Sequence, residues 1–282
     1  FSDEPQLGNV CGYDFGESLG REGHKVPWSL ELELRLKKRW GERFSIRLTL
    51  LWYEGGKETA VARIAYMDEM TKLVYECFSG KLGSWCRERG AEYIGHIIED
   101  NHADMYLGCS IGHYFREMKG QDMAGIDVVH HQIVPGHTGK KHQWAAWDGD
   151  GEFFHFVLAK LAASSARYDR EKKGRALCEI FGNYGWGMEL YQMKWLTDHM
   201  LVNGINHFVP HAFSVTDPNP DCPPHFYAGG NNPQFPLFKE LMKYMNRLCE
   251  LFSHGTAASD IAVLYNAESV WSGRDCSSIA SA

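Results

Sequence analysis

The sequence holds no apolar run approaching the ~18 to 20 residues of a bilayer-spanning helix, so no segment is expected to cross a membrane. It also lacks a cation excess: Lys plus Arg number 29 against 36 Asp plus Glu, a formal charge of -7 over 282 residues. With no surplus positive charge to neutralise a phosphate backbone, nucleic acid is excluded as the expected partner. The eight cysteines, at 11, 77, 86, 109, 178, 222, 249 and 276, form no C-x-x-C pair and several fall inside apolar patterns. They read as buried thiols and favour a reducing, cytoplasmic compartment. The chain opens on Phe1 instead of Met, which reads as a cut N-terminus.

Motifs of other chemistries are missing too. No G-x-G-x-x-G follows a strand pattern, which argues against a doubly wound dinucleotide fold, and no Walker loop or G-x-S-x-G elbow marks phosphoryl or acyl transfer. No H-E-x-x-H spacing occurs among the 14 histidines, so no catalytic transition metal and no cofactor are expected.

What is present is an alternation of helix-length amphipathic segments with short apolar runs from about residue 58 onward, the pattern of βα units around a parallel sheet. The spacing predicts one long helix over 58–89, stopped by Gly90, and shorter helices near 110–119, 152–169, 187–203 and 235–252. Strands are expected at 91–100 (AEYIGHIIED), 124–134, 175–182, 205–214 and 259–271, with FSDEP at 1–5 as the end of a further one. The Pro-rich stretch 216–226 cannot be regular structure. These units fit strands 4 to 8 of an α/β (β/α)8 barrel over residues 1–256, with 257–282 as the start of a following domain or a linker in a larger multidomain protein.

Carboxylates at strand ends are the main chemical signal: Asp3 and Glu4, Glu99 and Asp100, Asp127, and Glu179. Barrel strands deliver such residues to one mouth, where two carboxylates about 5 to 5.5 Å apart suit retaining glycoside hydrolysis and about 6.5 to 9.5 Å apart suit inversion. Tyr184 and Trp186 follow Glu179 in a turn-flanked GNYGWG, and Trp144 and Trp147 lie in a polar loop; flat apolar rings match the C–H faces of sugars. His96, Asn101, His130, His131, His207 and His211 are candidate hydrogen-bonding partners of sugar hydroxyls. On a strand, His130 and His131 would point to opposite faces.

Together FSDEPQLGN, YIGHIIEDN, GQDMAGIDVVHHQIVPG and CEIFGNYGWG resemble barrel-type bacterial glycoside hydrolases, nearest the α-L-rhamnosidases of glycoside hydrolase family 106 and more distantly clan A enzymes such as the family 42 β-galactosidases. The resemblance implies Glu4 as acid/base and Glu179 as nucleophile, with Glu99 as the water-activating base of an inverting variant. Asp3 stands where the clan has Asn, which bears on how a substrate 2-hydroxyl is held. It further implies that 259–271 begins the amidotransferase-like domain that follows the barrel in family 42, and it permits a structural calcium near the sugar site. Two rival readings follow from the same residues: a carbohydrate-binding barrel without catalysis, and a metal-dependent hydrolase using His96, His130 or His131 and Glu99.

Overall fold

A computed structural model describes residues 1–9, 19–139, 149–255 and 258–273, leaving the side chains of 100 and 101 aside. The chain divides into two compact units. The first comprises Phe1–Tyr93, Ile97–Asp122 and Asp260–Ala282, and the second Ile94–His96 and Met123–Ser259.

The first unit is helical among the described residues. Its α1 (Leu30–Trp40) starts where the Ser29 hydroxyl accepts from the Leu32 amide, and Leu32, Leu36 and Trp40 form a buried stripe at four-residue spacing. After α2 (Phe44–Thr49), the predicted 58–89 helix is two helices, α3 (Lys57–Cys77) and α4 (Ser79–Arg87). Phe78 leaves the helical region at φ -117°, ψ -90°. The break brings Gly83, with no β-carbon to interfere, against the Gly120 carbonyl; a methyl there would sit 2.1 Å from that oxygen. Ala91 N–H then bonds the Cys86 carbonyl over Gly90 at φ 70°, the expected stop. The short α5 (Tyr114–Met118) is capped by His113, whose Nδ1 accepts from the Arg116 amide. Asp68 ties three elements together by ion pairs to Arg39, Lys72 and Arg116.

The second unit is a mixed α/β layer. Strands β1 (Ala124–Val128), β2 (Ala176–Ile180) and β3 (His207–Pro210) form a parallel sheet in the order β1-β2-β3. Helix α6 (Leu158–Tyr168) connects the first two and α7 (Leu190–Val202) the second and third; α8 (Phe235–Ser253) packs on α7, where Tyr244 donates to Asp198. β1 is buried at every position and β2 at all but Glu179, as expected of strands covered on both faces. The register pairs Asp127 with Glu179 and Glu179 with Val209. At the opposite end Asn206 clamps the sheet, its side-chain carbonyl accepting from the Ala176 amide and its amide donating to the Gly174 carbonyl.

Several sequence expectations are corrected. Residues 91–99 are irregular with a single bridge residue at Gly95, and FSDEP likewise holds one bridge residue, Ser2. Gly125 shows why no side chain separates β1 from the 94–96 segment: a β-carbon on it would lie 1.8 Å from the Gly95 carbonyl. The expected strand at 259–271 is irregular chain leading into α9 (Ala267–Trp271). Ala267, Val270 and Trp271 are buried in the first unit's core, with the Trp271 indole donating to the Met105 carbonyl. The Pro-rich 216–226 stretch is irregular, as expected.

Candidate active site

The carboxyl ends of β1, β2 and β3 carry the second unit's chemical groups, the end at which open α/β sheets and barrels bind ligands. Asp127 and Glu179 occupy the penultimate positions of β1 and β2 and are register partners. Partners on adjacent parallel strands share a face, with backbones about 4.8 Å apart, so these carboxylates stand side by side. His96, fully buried, brings its Nε2 to 3.4 Å from a Glu179 carboxylate oxygen. Glu179 keeps 13% side-chain exposure, open enough to meet a ligand.

Beyond β1 and β2 the backbone enters the left-handed region at residues other than glycine: His130 and His131 (φ 53° and 58°) after β1, Phe181 and Asn183 (φ 83° and 55°) after β2. Each such residue costs of order 1–3 kcal/mol, and such conformations concentrate at functional sites. Loop hydrogen bonds hold the geometry. His130 N–H donates to the Gly182 carbonyl, and the Gln132 side chain accepts from the Val129 amide. His130 and His131 therefore lie in a turn past the strand, so the expected strand alternation does not apply to them. The Asn183 amide meets His130 Nδ1, and burial, with His131 adding to it, pushes the His130 pKa below the usual histidine value. A neutral His130 accepts at Nδ1 and keeps a donor at Nε2.

The two aromatics of GNYGWG have different roles. Tyr184 is buried: its hydroxyl donates to the Ile133 carbonyl at 3.0 Å and accepts from the Ile133 amide, and its ring lies 4.8 Å from that of His131. Burial drives its phenol pKa upward, keeping it neutral. Trp186 is 54% exposed, its ring 5.5 Å from that of His225. It presents a flat face, whereas Tyr184 holds the loop after β1.

β3 ends at Pro210, and His211 N–H continues the ladder to the Ile180 carbonyl. The loop beyond returns beside it: Ala212 N–H donates to the Pro224 carbonyl, Phe226 N–H to the Ala212 carbonyl, and Gly185 N–H to the Pro223 carbonyl. His211 Nε2 sits 3.1 Å from the Asp221 carboxylate. Burial works to raise the Asp221 pKa, but the Cys222 amide, His211 and His225 outweigh it and hold it below the ordinary aspartate value.

His207 begins β3, at the opposite end of the sheet, with Nδ1 beside Asn206. Asp3 and Glu4 lie in the first unit, lining a cleft of about 830 Å³ with Trp28, Met70 and Cys77. Glu99, also in the first unit, is 2% exposed at the head of a 3-10 turn. The Asn101 side chain, Trp144 and Trp147 lie outside the described residues. Sequence reasoning noticed Asp127 but did not place it in the site. The signal was there: AGIDV and ALCEI put their acid at the same position of equal-length strands. Asn183, Asp221, Cys222 and His225 carried no comparable mark.

No family model matches the chain, and no curated protein matches it. Among solved structures it is similar to a rhamnosidase from Novosphingobium sp. PP1Y, with 15% identity and a TM-score of 0.53 over 82% of this chain. The match takes in 21% of the rhamnosidase, so the chain spans about a fifth of that protein's length. At this identity the likeness is one of fold alone: the chain shares an α/β fold with part of that protein.

Proposed function

We propose that this chain carries catalytic groups of a glycoside hydrolase acting on rhamnosides or related glycosides, with Glu179 as the carboxylate facing the anomeric carbon. The observation that carries the reading is the pairing of Asp127 with Glu179 at the carboxyl ends of adjacent parallel strands, with the buried His96 imidazole 3.4 Å from Glu179. The fold likeness to a rhamnosidase supports the reaction class and the first substrate to test. In this proposal β1, β2 and β3 are consecutive strands of a (β/α)8 barrel.

Glycoside hydrolysis needs one carboxylate at the anomeric carbon, as nucleophile or as base toward water, and a carboxylic acid to protonate the leaving oxygen. Glu179 takes the first role and His96 orients it. Asp127 accepts a hydrogen bond from a substrate hydroxyl. Glu4 is proposed as the acid/base and Glu99 as the base of an inverting course, both on the strength of the family resemblance. Trp186 offers its exposed face to a sugar ring.

The test is hydrolysis of a panel of aryl glycosides that includes the α-L-rhamnoside, by the natural full-length protein and its Glu179→Gln and Glu4→Gln variants. Loss of a positioned acid–base or nucleophilic group costs about 10²- to 10⁴-fold, so each variant should lose at least about a hundredfold in kcat. Sugar binding without hydrolysis anywhere in the panel would favour the carbohydrate-binding alternative. A near-normal rate in Glu179→Gln would remove Glu179 from the chemistry.

A further inference from the structure

The loop after β3 gathers three ligating groups of different chemistry. One atom from each of His211, Asp221 and Cys222 lies within 4.8 Å of the others, all inside the second unit. His211 Nε2 is 3.1 Å from Asp221 Oδ2, while the other Asp221 oxygen accepts from the Cys222 amide at 2.8 Å. The second carboxylate oxygen is thus occupied and orients the first toward the imidazole. Zinc bonds to nitrogen and oxygen of about 2.0–2.2 Å and to sulfur of about 2.3 Å put tetrahedral ligand atoms roughly 3.3 to 3.6 Å apart. The His211–Asp221 separation is near that edge, and closing the thiol onto it takes a side-chain adjustment.

We propose that His211, Asp221 and Cys222 form a binding site for a zinc-class divalent cation, distinct from the carboxylates of β1 and β2. The ligand set selects the ion. A thiolate beside an imidazole suits zinc, cobalt and their neighbours, whereas calcium and magnesium take oxygen ligands. Three protein ligands leave one tetrahedral position for water.

Two further observations agree. His225 donates from Nε2 to the Asp221 carbonyl at 2.9 Å, fixing the backbone that carries two of the ligands. The Pro223, Pro224 and Phe226 backbone bonds already hold the loop beside β3, so little ordering remains to be done when the ion binds. Binding replaces the thiol proton with the cation and releases that proton to solvent. The bound ion would hold His211 and the loop carrying His225, the neighbour of Trp186, in one arrangement.

The experiment is titration of the metal-free, reduced protein with Co(II), followed by Zn(II) displacement, in the wild type and in Cys222→Ser, Asp221→Asn and Cys249→Ser variants. Cys249 lies on α8 and serves as the thiol control. The expected result is one equivalent of Co(II) with a thiolate-to-metal charge-transfer band that Zn(II) abolishes. That band should be lost in Cys222→Ser and kept in Cys249→Ser, with affinity lowered at least tenfold in Asp221→Asn. Circular dichroism of each apo-variant establishes that it is folded. No stoichiometric uptake, or a band unchanged in folded Cys222→Ser, would overturn the site. Glycoside hydrolysis enters none of these readouts, so this inference and the proposed function fail separately.

Discussion

Tyr184 and Trp186 stand two residues apart in one turn, yet one is spent on structure and the other is available to a ligand. The Tyr184 hydroxyl is occupied twice by Ile133, while Trp186 keeps an open face. Trp186→Ala should therefore raise KM for a glycoside about tenfold, on the scale of the ~1.4 kcal/mol an aromatic contact supplies, and leave kcat within about twofold. Steady-state kinetics decides it, and a fall in kcat at constant KM would contradict the stacking role. Titrations make a second residue-scale prediction. Burial raises the Asp104 pKa from 3.8 to about 7 against the opposing Tyr265 hydrogen bond, and burial likewise raises that of Glu117 to about 7. Between pH 4 and 7 the folded chain then binds more protons than the unfolded one, so stability falls as pH rises through this window. Asp68 acts oppositely. Burial would raise its pKa, but Lys72, Arg39 and Arg116 hold it near about 2, so its contribution is full above 3.8 and is lost as pH falls toward 2. Thermal melts should show greatest stability near pH 4 to 5, with the alkaline decline reduced in Asp104→Asn; an unchanged slope in that variant would contradict the assignment. The exposed tryptophan was legible from its glycine-flanked turn, whereas the buried acids were not, because nothing in HADM or FREM signals which carboxyl loses its water.

At the scale of elements, alternation of apolar runs with amphipathic helices identified β1, β2 and β3 and the helices between them, because strands buried on both faces leave an unmistakable run such as AGIDVV or RALCEIF. The same reasoning overreached at AEYIGHIIED. It too is an apolar run ending in charge, but residues 91–99 run irregularly with a lone bridge at Gly95. Periodicity also could not see the break at Phe78, since the apolar spacing continues through it while the backbone turns to bring Gly83 onto Gly120. The loops after β1 and β2 were the least legible part, because left-handed histidine and phenylalanine are set by surrounding hydrogen bonds and not by local preference. One substitution tests the contact between β1 and its neighbour. In Gly125→Ala the new methyl meets the Gly95 carbonyl, a backbone group that cannot rotate away. Overpacking of this kind costs about 1–3 kcal/mol, and the rigid obstacle places this variant near 3. Urea unfolding measures it, and a variant as stable as the wild type would show that the close approach is absent.

For the whole molecule, the fold likeness reaches 82% of the chain but only 21% of the rhamnosidase. Among the described residues no helix is long and apolar enough to cross a membrane. The central claim is that Glu179 is the carboxylate that meets the anomeric carbon, and chemical rescue tests it most directly. The full-length Glu179→Ala variant is assayed on an activated aryl α-L-rhamnoside with and without sodium azide, and the products are identified. Removing the carboxylate should abolish turnover, and azide, an anion small enough to enter the space left, should restore it with a glycosyl azide as product. Undiminished turnover without azide, or a dead variant that azide cannot revive although it still binds the sugar, would contradict the assignment of Glu179.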